Sequence, residues 1–373
     1  MRFLQVDGPV HWDVARQVAR WVALEGAEEP TVDAAARSRL TEVSRAAEAH
    51  VLAETGEAPA GPVDLVGKAE WAEQSLVTMR PVLERLAVTL QGGLGAAGAP
   101  DAANLFGAGA NPLAGMLGAL GPLLLGVQCG FMVGQLGQAL LGQHDLLLPV
   151  TGAPKPALIA SNVEAFHGAW SIPPDDLRFF LAVQEAVRAG ISARPWVGDL
   201  LVRLGCDYVG SFRVDPGALE SQLESLDLND PSSFEGLMRD PDALLGAMQS
   251  PEQLRILEQL QSTTAVLESY ADTVVERIAS PMVPSLELIH EAMHRHRVER
   301  SESDRFIQRL LGLDPSRRAH EMAAAFCAGV VERAGPGGLA RLLESESFLP
   351  TPAEVEAPGL WLARLEVTDP GSV

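Results

Sequence analysis

Apolar residues recur at three- and four-residue intervals along most of the chain, and that interval marks helices, which turn once every 3.6 residues. After Pro251, Leu254, Leu257, Leu260, Leu267, Val274 and Ile278 fall on one stripe while Glu252, Glu258 and Arg277 fall off it. One long amphipathic helix is predicted there. The same pattern predicts helices over Val14 to Leu24, Ala34 to Leu52, Glu70 to Leu90 and Leu177 to Gly190. Pro81 has no amide proton to donate and should break the third of these. Pro173-Pro174-Asp175-Asp176 should open the fourth, because proline fits the first turn and acids favour a helix N-terminus. Clusters of Gly and Pro at 210–217, 231, 281–284, 312–315, 335–338 and 350–352 punctuate the rest, and none is long enough to link domains. The expectation is a mainly α chain with residues 1–373 in a single large helical domain.

One stretch departs from the charged amphipathic pattern. From Ala102 to His144 there is no Asp, Glu, Lys or Arg. Its beginning belongs to a Gly/Ala-rich segment, 92–111, expected to be a loop. The apolar run from Leu113 to Leu141 is long enough to cross a bilayer, and Gly126, Gly130 and Gly134 have the four-residue spacing that lets helices approach closely. Pro122, the amides Gln128, Gln135 and Gln138, and flanks at Asp101 and Asp145 without a basic anchor weigh against a span. A buried central helix hairpin is expected, its glycines seating neighbouring helices. The alternative use of this stretch is attachment to a membrane or to a partner's helices.

With 47% hydrophobic and 21% charged residues the chain has ample material for a core, which excludes disorder for most of it. Lys plus Arg is 28 against 49 for Asp plus Glu, a net charge of -21, so nucleic acid is not an expected partner. Cys129, Cys206 and Cys327 are far apart and include no C-x-x-C pair, which predicts buried, reduced thiols. The start, Met1 to Gly8, reaches an acid before any apolar run, so a cytoplasmic location is expected.

Candidate chemistry is sparse. Gly93-Leu94-Gly95-Ala96-Ala97-Gly98 has the form G-x-G-x-x-G, but a helix-like segment precedes it and no ribose-binding acid follows at about 20 residues. It reads as part of the low-complexity loop. Neither a phosphate loop of the Walker type nor a G-x-S-x-G elbow occurs. The sharpest local match is His290-Glu291-Ala292-Met293-His294, formally H-E-x-x-H: imidazoles at i and i+4 share a helix face and can hold zinc, with the intervening Glu as general base. A third ligand is needed. His296, Asp314, His320 and Glu321 are near in sequence without completing a longer zinc signature. The structural alternative is a solvated basic face continuing through Arg295, Arg297 and Arg300.

Several short strings in order resemble an actinobacterial family described as zincin-like, zinc-dependent metalloproteases, some linked by name to biosynthesis of a deazaflavin coenzyme. They are Val10-His11-Trp12-Asp13, Glu70-Trp71, Leu141-Gly142-Gln143-His144-Asp145 with Leu148-Pro149, Asn162-Val163 and Pro174 to Arg178. Pro195-Trp196, Leu267-Glu268, Leu310 to Leu313 and Leu349-Pro350-Thr351 before Trp361 follow. The resemblance implies a zincin-like scaffold with the zinc-binding H-E-x-x-H on the helix that begins at Pro174. That helix reads Gln184-Glu185-Ala186-Val187-Arg188, so only Glu185 of the family's catalytic string is kept. An amide is a poor zinc ligand and a permanent guanidinium opposes a divalent ion. Glu268 resembles a downstream acid that serves as third ligand in complete members. The segment 290–294 falls where the family shows a helix without ligand histidines.

The expected protein is therefore a degenerate relative of metalloproteases, without cofactor, that binds a peptide or protein partner. The enzymatic alternative is a zinc hydrolase with His290 and His294 as ligands and Glu291 as base.

Overall fold

The computed structural model describes residues 8–97, 112–212, 250–299, 302–313 and 316–368. Its helices are α1 (Trp12–Ala23), α2 (Ala34–Thr55), α3 (Lys68–Thr78), α4 (Arg80–Ala97), α5 (Pro112–Ala139), α6 (Ala160–Trp170) and α7 (Pro174–Ser192), then α8 (Pro195–Gly210), α9 (Pro251–Ala279), α10 (Leu286–Val298), α11 (Glu302–Leu310), α12 (Arg317–Ala340), α13 (Pro352–Glu356) and α14 (Pro358–Thr368). Two three-residue strands, β1 (Asp64–Val66) and β2 (Ala157–Ile159), accompany them. The fold is mainly α, as the periodicity predicts, and one contiguous set of buried apolar side chains runs from Val10 to Leu365.

Local chemistry explains the helix ends. Asp33 accepts from the amides of Ala35 and Ala36 at the start of α2, and Gly56 closes that helix at φ +72°. Ser250 caps α9 through the Gln253 amide, and Pro174 occupies the first turn of α7. The expected break at Pro81 falls at Met79 instead, so the proline sits in the first turn of α4, where its missing N–H costs nothing.

The long helix α9 packs against α2, α7, α8 and α12. Leu260, Leu267, Val274 and Ile278 are buried as expected, but Leu254 is exposed and Leu257 only partly covered. The buried line is set by Gln253, Leu260, Leu267 and Val274 at seven-residue spacing, and it turns Leu254 about 100° away. A polar residue in the buried register hid this from the apolar pattern.

The stretch expected to form a hairpin is one continuous helix, α5, with Pro122 inside it. The Pro122 carbonyl accepts from the His11 amide at 2.8 Å, and α1 lies along the helix beyond it. Gly126 and Gly134 seat that helix: a Cβ at Gly126 would lie 2.6 Å from the His11 carbonyl oxygen, and one at Gly134 would lie 2.6 Å from Val22 Cβ. Gly130 faces the Ala15 carbonyl oxygen more closely still. The glycine row therefore does seat a neighbour, within one chain. Among the described residues no helix is long and apolar enough to cross a membrane. The expected loop at 92–111 begins later than predicted, because Leu94, Ala96 and Ala97 carry α4 through Gly92, Gly93 and Gly95. Residues 98–111 lie outside the described residues.

β1 and β2 pair in parallel with Leu65 opposite Leu158. The segment after α5 joins on the other side of β2: Gln143 N donates to Ala157 O and Ile159 N to Leu141 O, both at 2.8 Å. This short third edge carries Gly142 to Asp145 across the buried helix α7. Asn162 at the start of α6 donates its amide to the Gly137 and Leu140 carbonyls, at 3.0 and 2.6 Å, and so ties down the end of α5.

Burial pushes the thiols of Cys129 and Cys327 up to about 12, and Cys206 is raised by burial and by Asp207. Cys206 is the more accessible of the three. Alkylation at pH 8 without denaturant should therefore modify Cys206 first and leave Cys129 and Cys327 unmodified, as read by peptide mass. Equal labelling of all three would contradict this packing.

Candidate functional site

Helix α7 is buried from Phe180 to Ala189, so each polar residue within it must find a partner. Glu185 is 2% exposed and finds several. Its Oε1 accepts from the His144 amide at 3.0 Å, from the Ala157 amide at 3.1 Å and from His144 Nδ1 at 2.8 Å. Its Oε2 accepts from the same His144 amide at 3.1 Å. A Cβ at Gly142 would come within 2.7 Å of that oxygen, so glycine permits the close approach of this edge to the carboxylate. His144 Nε2, also buried, has no hydrogen-bond partner.

One turn further along α7, Arg188 is 3% exposed. Its Nη1 donates to the carbonyls of Asp145 at 2.6 Å and His144 at 3.3 Å, and its Nη2 donates to Asp272 Oδ1 at 3.2 Å. Burial by itself would lower its pKa, but the charges of Asp272, Glu268 and Asp145 and the Asp272 hydrogen bond outweigh burial and raise it. Arginine keeps its proton in proteins, so this guanidinium is a cation inside the fold. Glu268 is largely buried on α9, with His320 Nε2 at 3.6 Å from its Oε2. Asp145 has its own local partner, the Leu141 amide at 3.0 Å.

Gln184 looks outward from this buried centre into a cleft of about 730 Å³ between α7, α9, α10 and α12. The two histidines of the 290–294 string line the same cleft, along with Asp272, Glu276 and Glu332. His290 Nε2 is 3.3 Å from Glu276 Oε2 and its ring meets Phe180 edge-on. Glu291 does not face the cleft; it is exposed and paired with Arg295. The other sequence neighbours are also elsewhere. His296 turns its Nε2 to the Ala139 carbonyl, Glu321 pairs with Arg317, and Asp314 lies outside the described residues. No group of three or more His, Cys, Asp or Glu side chains among the described residues is placed to hold a metal ion.

Sequence and structure both match known proteins. The sequence fits the zincin-like metallopeptidase family across residues 10–362. The chain belongs to that family. Its fold is similar to a crystal structure from Chloroflexus aurantiacus, of a candidate hydrolase with a novel fold, at 21% identity and a TM-score of 0.63. That likeness covers 96% of this chain and 99% of the other, and at this identity it concerns the fold. No curated protein has a matching sequence.

A zincin-like metallopeptidase implies zinc, and the residues at 184–188 do not fit it. The guanidinium of Arg188 has no lone pair to offer, and its Nη1 and Nη2 are committed to two carbonyls and a carboxylate. Gln184 offers only an amide, and both oxygens of Glu185 already accept hydrogen bonds. Sequence reasoning missed the partners of this buried centre. His144 and Asp145 appear in the string Gly142-Gln143-His144-Asp145, which ends the uncharged stretch, and that ending is the signal that would have found them. Asp272 carries no such mark within α9.

Proposed function

We propose that this member of the zincin-like metallopeptidase family has lost the zinc site at 184–188 and acts by binding a peptide or protein segment in the cleft beside Gln184. The observation that supports this reading is the buried Arg188 guanidinium, a fixed cation where the sequence resemblance implies the second zinc ligand. The cleft remains suited to an extended segment. Phe180, Met293 and Val331 give it apolar walls, and Asp272, Glu276 and Arg297 supply polar groups among them.

The test combines elemental analysis with peptide binding. Protein purified without chelator should hold far less than one zinc per chain. A fluorescein-labelled casein peptide pool should bind, and Ala328→Arg, which fills the cleft from an exposed position on α12, should weaken that binding about tenfold or more. Unchanged binding in this variant would remove the cleft from the account.

A second reading has one observation in its favour: His290 and His294 face the same cleft from one side of α10. In it they hold zinc and Glu291 serves as base, which requires Glu291 to leave Arg295. Stoichiometric zinc that disappears in the His290→Ala, His294→Ala double variant would establish this hydrolase and overturn the binding-only proposal.

A further inference from the structure

Three carboxylates act on one buried point. Asp272 accepts a hydrogen bond from Arg188 Nη2, buried Glu268 lies one turn before it on the same face of α9, and buried Asp145 gives its carbonyl to Arg188 Nη1 from the edge after α5. The carbonyl oxygens of His144 and Asp145 point into the same place. Without a cation, two buried carboxylates and two carbonyls would face one another beside the half-exposed Asp272, and repulsion between the buried pair is stronger than in water.

We propose that Arg188 is the resident cation of this centre: its guanidinium supplies, from the chain itself, the positive charge that holds Asp145, Glu268 and Asp272 together and fixes Asp272 at the cleft wall. Arginine suits the task better than lysine, since its planar fork reaches two carbonyls with one nitrogen and a carboxylate with another. The Asp272 side chain is 52% exposed, so the pair joins the buried centre to the cleft surface. Arg188 is thus a positioning residue for the acid wall of the cleft.

Two kinds of role can be told apart by coupling. If Arg188 only fills space and bonds carbonyls, its loss costs the same whatever the charge of its neighbours. If it balances the carboxylates, removing their charge should recover much of the loss. Arg188→Met should lower Tm by roughly 4–6 °C, the scale of breaking a buried ion pair in a chain of this size. Adding Glu268→Gln and Asp272→Asn to Arg188→Met should restore at least about half of that, whereas the same two changes in the unmodified protein should lower Tm.

Should Arg188→Met fail to fold, recovery of soluble, cooperatively melting protein in the triple variant supports the proposal. Unchanged Tm in Arg188→Met overturns it, as does a triple variant no better than the single one. These outcomes do not depend on peptide binding. The proposed function can fail through zinc content or the Ala328→Arg result while this charge balance stands.

Discussion

Glu185→Ala is expected to lose about 3–5 kcal/mol of stability, measured as the urea unfolding free energy, because it removes the shared acceptor of several buried donors at once. The amides of His144 and Ala157 and the Nδ1 of His144 would be left unpaired in the interior. An exposed ion pair contributes at most about 1 kcal/mol, so the size of the loss separates a buried keystone from a surface contact. Glu185→Gln should cost less, about 1–3 kcal/mol, since one amide oxygen still accepts but the amide nitrogen faces donors. A general base behaves differently: a glutamine there spares the fold and abolishes turnover. Near-native stability in Glu185→Gln, together with loss of a measurable peptidase activity, would refute the structural role and reinstate catalysis.

The scaffold around Glu185 was only partly legible in the sequence. The helices were legible because their apolar spacing is regular and their caps are ordinary: Asp33, Ser250 and Pro174 stand where such residues end or begin helices. The burial register of α9 was not, because Gln253 occupies a covered position that an apolar count assigns to Leu254. The continuity of α5 was hidden by Pro122, whose usual effect is to break a helix, and is seen only when α1 is laid along the glycine row. The strands were too short for alternation to register.

The candidate site divides in the same way. The string Gln184 to Arg188 stands out in the sequence only through the resemblance of its flanking segments. What those residues touch was not legible, because Glu185 meets His144 across 41 positions and Arg188 meets Asp272 across 84. Nor could spacing show that the 290–294 histidines and Gln184 open into one cleft while Glu291 turns to Arg295. Helical periodicity settles which face a residue occupies, but not what another helix brings to that face.

The second large effect is expected at Gly130. Any Cβ there meets the Ala15 carbonyl oxygen below normal contact distance, with Val18 Cβ at 2.9 Å and Ala15 Cα at 3.0 Å. Two of these three obstacles are backbone, so a rotamer change cannot relieve them, and α1 must move as a body. Gly130→Ala should therefore cost about 2 kcal/mol even after the roughly 1 kcal/mol gained from helix propensity. Gly130→Leu should cost more than about 4 kcal/mol, above the usual range of about 1–3 for overpacking, because the added carbons face main chain instead of flexible side chains. Gly168→Ala supplies the comparison: it is helical and exposed, a Cβ there meets nothing within 4 Å, and the substitution should gain about 0.5–1 kcal/mol. The consequence reaches the site through α5, whose last carbonyls are held by Asn162 and whose next residues present His144 to Glu185. Displacing α1 from the glycine row should thus weaken the Glu185 cradle as well as the helix pair. If urea denaturation found Gly130→Leu as stable as Gly168→Ala, α1 would not lie against α5 as described, and the edge that carries His144 would lose its support.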